Sequence, residues 1–212
     1  MNQHLARVPY GEPGFYDPED IDTLLTPQGQ EMARALQPTL EAEHSNSPIE
    51  LIVSSPLTRA LQTATLAAEG LPAVPRAVNA DLAERRYLSS DVGRQPSALA
   101  SEFPLFASSL SALPAHWWWE DEQQLPSARK ARLEQQGGAK LTGVALPVEP
   151  NDHFVARVES FCRWLKDRPE SKIVVVAHWG VLYSCLGRSL QNCELVRCTT
   201  DELLPVMLPA PD

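Results

Sequence analysis

Two residues of this 212-residue chain stand where a strand-like run gives way to a helix-like one. Arg59 follows Ile49-Glu50-Leu51-Ile52-Val53-Ser54, and Leu57, Ala60, Leu61, Ala64 and Ala68 then recur at helical spacing. His178 closes Ile173-Val174-Val175-Val176-Ala177, a continuous apolar run of the kind buried on both faces of a sheet. A helix start leaves N–H groups without intrahelical partners, so an arginine in its first turn lies in a place suited to an anion. Each residue also has a plainer reading. The arginine could be solvated or salt-bridged, and the histidine could be a capped core residue.

The elements that must position these residues can be sketched from the same rows. Residues 1–25 hold Pro9, Gly11, Pro13, Gly14 and Pro18 with few aliphatics, which is loop composition. Thr26-Pro27 offers an N-cap and a first helical residue, and Met32, Ala33, Leu36 and Leu40 supply the stripe of a helix of about three turns, with Pro38 disturbing its last turn. Ser55-Pro56 offers a cap and start for the Arg59 helix. Asn151 or Asp152 caps a helix with Phe154, Val155, Val158, Phe161, Cys162 and Leu165 on one side and Arg157, Arg163 and Lys166 on the other. The His178 strand follows, then Trp179-Gly180 and a helix from Val181. Strands alternating with helices predict an α/β domain with a mainly parallel sheet, whose sites collect at the carboxyl ends of the strands. Residues 114–150, with Trp117-Trp118-Trp119 and Gly137-Gly138, read as a long insertion forming a lid or rim.

Composition narrows the function classes. With 43% hydrophobic and 21% charged residues the chain is globular, and 1–212 reads as a single domain. A net charge of −9 argues against a nucleic-acid partner, so an anion site must focus positive charge locally. No apolar run is long enough to span a membrane, and Met1 is followed by polar Asn2-Gln3-His4 rather than a signal region. Cys162, Cys185, Cys193 and Cys198 form no Cys-x-x-Cys pair and read as reduced thiols in a cytoplasmic or nuclear compartment. No metal-ligand spacing and no Gly-x-Gly-x-x-Gly or Walker-type loop is present, so neither metal nor nucleotide cofactor is expected.

Ser54-Ser55-Pro56-Leu57-Thr58-Arg59-Ala60-Leu61-Gln62-Thr63-Ala64 resembles the second signature of the histidine phosphatase superfamily, the phosphoglycerate mutase-like proteins. Leu25-Thr26-Pro27-Gln28-Gly29 is similar to that family's helix start, Leu82-Ala83-Glu84 to the segment carrying its acid, and Val175-Val176-Ala177-His178-Trp179-Gly180 to its second histidine motif. The resemblance runs in order from about Asn2 to about Arg197. It implies a three-layer α/β/α fold and phosphoryl transfer through a phosphohistidine. It further implies that Arg59 is a prong of a cationic cage and His178 the second, non-nucleophilic histidine. Glu84 would be the general acid, with Asn2, Trp179 and the Gly180 backbone as substrate contacts. On its residues alone, Glu84 reads as a partner of Arg85-Arg86 on a solvated face. The implied partner is a phosphorylated small molecule or a phosphoprotein.

One signature is missing. The family's Arg-His-Gly, at the end of a first and central strand, does not occur in this sequence, and His4 has neither an arginine before it nor a glycine after it. The resemblance therefore predicts a phosphomonoester hydrolase, truncated and weakly active or inactive as given. Its alternatives are a non-catalytic phospholigand-binding or regulatory module and a mutase-type phosphotransferase. The Ser90-Asp91-Val92-Gly93-Arg94 segment looks closer to the phosphatase branch than to the glycolytic mutases. A sheet lacking its first strand would expose unpaired edges, which predicts poor solubility or a homo-oligomer.

Overall fold

The computed structural model describes residues 17, 20–119 and 148–203. Asn2, His4 and the body of the insertion lie outside the described residues. Three parallel strands, β1 (Leu51–Ser54), β2 (Arg76–Val78) and β3 (Ile173–Val176), pair in the order β2-β1-β3. Val53 stands opposite Ala77 on one side and Val175 on the other. Alternation along strands in this register sends Ile52, Val78, Val174 and Val176 to one face and Val53, Ala77, Ile173 and Val175 to the other.

Each face is covered by helices. On the first, Ile52 packs with Leu57, Leu61 and Ala64 around α3 (Thr58–Ala67), and with Leu40 of α2 (Gln37–Asn46). Leu99 of α4 (Pro96–Glu102) and Leu110 of α5 (Ala107–Ser111) complete that core. On the second, Val53 packs with Phe154, Val158 and Phe161 of α6 (Asn151–Lys166) and Val181 and Cys185 of α7 (Trp179–Leu186). Phe154 and Phe161 are buried, and rings of this size stabilise by about 1.5–3 kcal/mol each when removed from water. The result is the expected three-layer α/β/α arrangement with a parallel sheet.

Several local expectations are corrected. Pro38 does not fray the end of one helix; it falls in the first turn of a second. Thr26 caps α1 (Pro27–Arg34), its hydroxyl accepting from Gly29 N at 3.0 Å, and α2 begins afresh at Gln37. Proline lacks an N–H and fits a first turn, where that donor would be unpaired anyway. Ser55-Pro56 does not cap α3. Its first turn is held by a distant carboxylate: Asp22, at φ 44°, accepts from Thr58 N at 2.7 Å and Thr58 Oγ1 at 2.5 Å. Helix α6 starts at Asn151, after Pro150, with no side-chain cap, and α7 starts two residues before Val181. Finally, β1 and not β3 is the fully buried strand. Each residue of β3 is half-exposed, because among the described strands β3 has a neighbour on one side only.

Candidate functional site

Strand β1 ends at Ser54 and strand β3 at Val176, opposite one another in the ladder, so the segments that follow emerge side by side. Ser55 N donates to Val176 O at 2.9 Å, extending the pairing by one residue. His178 then caps α7 from extended backbone (φ −119°, ψ 168°), and its Nε2 lies 2.8 Å from Ser55 Oγ. Ser55 Oγ also accepts from Leu57 N at 3.2 Å, so the serine fixes both the ring and the turn into α3. Burial, then the positive charges of Arg59 and Arg157, hold the His178 imidazole well below its ordinary pKa. It is a neutral ring at physiological pH.

Arg59 comes from the first turn of α3 and is buried. Its Nη1 donates to Ser90 O at 2.7 Å and its Nη2 to Asp91 Oδ1 at 2.9 Å. Asp91 ends a single 3₁₀ turn (Ser89–Asp91), and its other oxygen accepts from the backbone of Tyr87 and Leu88 at 3.2 and 3.1 Å. Nothing in the sequence marked Asp91 as a partner of Arg59. An aspartate 32 residues away in a loop is too common a residue type to carry a signal.

Glu84 completes the cluster. One carboxylate oxygen accepts from Gly180 N, in the first turn of α7, at 3.1 Å and the other from Arg85 N at 2.9 Å. Burial and the nearby Asp91 charge push its pKa up to about 7; the two N–H bonds and Arg59 restrain it only in part. A carboxylic acid with that value gives up a proton readily at neutral pH, as protonation of a departing alkoxide requires. Arg85 and Arg86, the alternative partners for Glu84, are engaged elsewhere. Arg85 Nε donates to Glu149 O at 2.9 Å and Arg86 Nη1 to Trp119 O at 3.4 Å.

The backbone of Glu84 is held by Arg157 of α6, which the sequence reading placed on a polar helix face. Its guanidinium donates to the carbonyls of Asp81, Ala83 and Glu84 at 2.8, 2.6 and 3.1 Å. It also grips both oxygens of the fully buried Glu149 at 2.8 Å each. Burial alone would raise the Glu149 pKa, but Arg157 and the His153 ring outweigh it and keep the carboxylate ionised.

The structure thus brings Arg59, Glu84, His178 and the Gly180 N–H together. It does not bring in the Trp179 ring, which is half-exposed, donates to Ser189 Oγ at 2.8 Å and packs on Tyr183. Successive helical residues point about 100° apart, and Trp179 follows the inward-facing His178. Among the described residues no group of His, Cys, Asp and Glu could hold a metal ion, and no helix is long and apolar enough to cross a membrane.

Beside Glu84 lies a cavity of about 360 Å³, walled in part by Trp117, Trp118, Trp119, Arg86 and His153. Trp117 Nε1 donates to Arg94 O at 2.9 Å, and the Trp117 and Trp118 rings meet edge to face with centroids 5.4 Å apart. Both close over Gly93, where a Cβ would come within 2.6 Å of Trp118 Cε3 and 2.7 Å of Trp117 Cη2.

A family model described as the histidine phosphatase superfamily (branch 1) matches residues 15–120, half of the chain. A phosphoglycerate mutase-like protein of Arabidopsis thaliana is 28% identical over 189 residues, covering 84% of this chain and 68% of that one. Among solved structures, the alpha-ribazole phosphatase of Shigella flexneri aligns over 87% of this chain and 72% of its own, at 20% identity and a TM-score of 0.48. A mycobacterial glucosyl-3-phosphoglycerate phosphatase aligns over 81% and 72%, at 22% identity and a TM-score of 0.42.

Proposed function

The chain belongs to the histidine phosphatase superfamily, and from that premise we propose that its site binds a phosphomonoester and serves hydrolysis through a phosphohistidine, with only weak turnover by the 212-residue chain itself. The observation that carries this reading is the convergence of Arg59, Glu84 and His178 at the carboxyl ends of two adjacent parallel strands. Arg59 offers phosphoryl oxygens a fixed fork of donors, and the neutral His178 and the N–H groups at the start of α7 add further donors. In the first step a histidine nitrogen forms a bond to phosphorus while the P–O bond to the leaving group breaks, and Glu84 passes its proton to that oxygen. In the second, Glu84, now ionised, takes a proton from water as it attacks phosphorus, releasing phosphate and free histidine. The nucleophile is the part this sequence does not supply in recognisable form, since it contains no Arg-His-Gly.

The test is binding of phosphate or vanadate by titration calorimetry, together with turnover of a generic aryl phosphate between pH 5 and 8. Anion binding that falls at least tenfold in Arg59→Ala is expected, because a hydrogen bond to a charged group is worth about 1.5–3 kcal/mol. Absence of anion binding in the unsubstituted chain overturns the proposal. A second reading, a phospholigand-binding module without catalysis, is favoured by the Arg59–Asp91 pair, which already satisfies part of the cationic fork. Binding with no turnover and no acid-labile phosphoenzyme supports that reading; slow turnover dependent on Glu84 supports hydrolysis.

A further inference from the structure

We infer that the tryptophan-walled cavity beside Glu84 receives the leaving group of the phosphomonoester, and that this leaving group carries a flat aromatic or heteroaromatic ring. The inference rests on the reading of Glu84 as the acid. The proton it donates must reach the oxygen bridging phosphorus and leaving group, so the leaving group lies against Glu84. The cavity that Glu84 lines is the space there, and its ~360 Å³ falls in the range of small-molecule sites.

The walls decide the chemistry. Asp81, Arg86, Asp91, Glu149, His153 and Arg157 also line the cavity; Glu149 is paired with Arg157 and His153, Asp91 with Arg59, and Arg86 donates to the Trp119 carbonyl. Three consecutive indoles, Trp117, Trp118 and Trp119, line the cavity beside these groups. Trp117 and Trp118 are fixed against Gly93, and Trp119 is held by contacts with the Arg86 guanidinium, 5.6 Å from its ring centre, and the His153 ring, centroids 6.3 Å apart at 55°. Rings held this way accept a flat aromatic guest by stacking or edge contact with little loss of side-chain freedom.

The test uses the full 212-residue chain and ligands without a cleavable ester: 2-naphthylmethylphosphonate, methylphosphonate and 2-naphthol, titrated calorimetrically. The naphthyl phosphonate is expected to bind ~10-fold or more tightly than methylphosphonate, in line with the worth of one stacked ring. Trp119→Ala should remove most of that preference, and Trp119→Phe should restore most of it, a pairing that a general loss of structure would not give. Equal affinity for the two phosphonates, or a preference that survives in a folded Trp119→Ala chain, overturns the inference. If neither phosphonate binds, the phosphomonoester reading fails by itself. In that case Trp119-dependent binding of 2-naphthol still upholds the aromatic cavity, and its absence sinks that as well.

Discussion

Glu84 couples the chemistry of the site to the stability of the fold. Its pKa in the folded chain is pushed up to about 7, by burial first and by Asp91 second, from an ordinary value of 4.5. Below pH 4.5 folded and unfolded chains both carry the proton. Between 4.5 and 7 the unfolded chain loses it while the folded chain keeps it, so stability falls as pH rises, and the loss is complete above 7. A shift of this size corresponds to about 3 kcal/mol. Glu84→Gln should therefore gain on the unsubstituted chain by up to about that amount between pH 4.5 and 8, measured as the difference in urea midpoints; a difference that does not vary with pH would refute the buried acid. Asp91→Asn should lower the Glu84 midpoint, visible by carboxyl NMR, because it removes the second cause of the shift. At this scale the sequence was most readable where a residue sits inside a long, specific word. Arg59 and His178 stand in such words, and Glu84 in a shorter one, Leu82-Ala83-Glu84. Asp91 and Asp22 do not, and the contact of Ser55 with His178 was not legible even inside the Arg59 word, because these roles arise from contacts across the fold rather than from neighbours in sequence.

Helix α6 shows what an element contributes beyond packing. Its apolar stripe was legible, and Phe154, Val158 and Phe161 do fill the second core. Arg157 was legible only as a polar-face residue, since no local pattern announces that its guanidinium will reach three carbonyls 73 to 76 residues earlier in the chain. The same holds for α3, whose strand-to-helix switch was visible but whose cap, Asp22, lies 36 residues away. Removing Arg157 would leave the fully buried Glu149 carboxylate with His153 as its remaining side-chain partner and would free the carbonyls that seat Glu84. Arg157→Ala is expected to cost about 3–5 kcal/mol in chemical denaturation, the usual penalty for stranding one half of a buried ion pair. Adding Glu149→Gln to that variant should recover part of the loss; a single substitution costing under about 1 kcal/mol would show that the pair is merely superficial.

At the scale of the whole molecule, β3 is the conspicuous element: apolar in sequence, half-exposed in place, and paired on one side among the described strands. Such an edge presents backbone N–H and C=O groups for pairing with another chain. Self-association that rises with concentration is therefore expected in size-exclusion chromatography with light scattering. A monomer at every concentration would contradict this. The β1–β3 pairing has a different implication for how the protein comes into being. His178 and Ser55 meet across 123 positions of chain, and Leu51 pairs with Ile173, so the contacts that create the site are among the most distant in sequence. Contacts of that separation form slowly because a long loop must close first. During synthesis, β1, α3 and β2 can assemble early as one βαβ unit over the first core, whereas the second core and the site must wait until the last quarter of the chain has left the ribosome. Val53, at the centre of the sheet, spends that interval without the helices that will cover it. The site thus comes together at the very end of the protein's manufacture, and any premature stop before His178 yields a chain with a formed first half and no site.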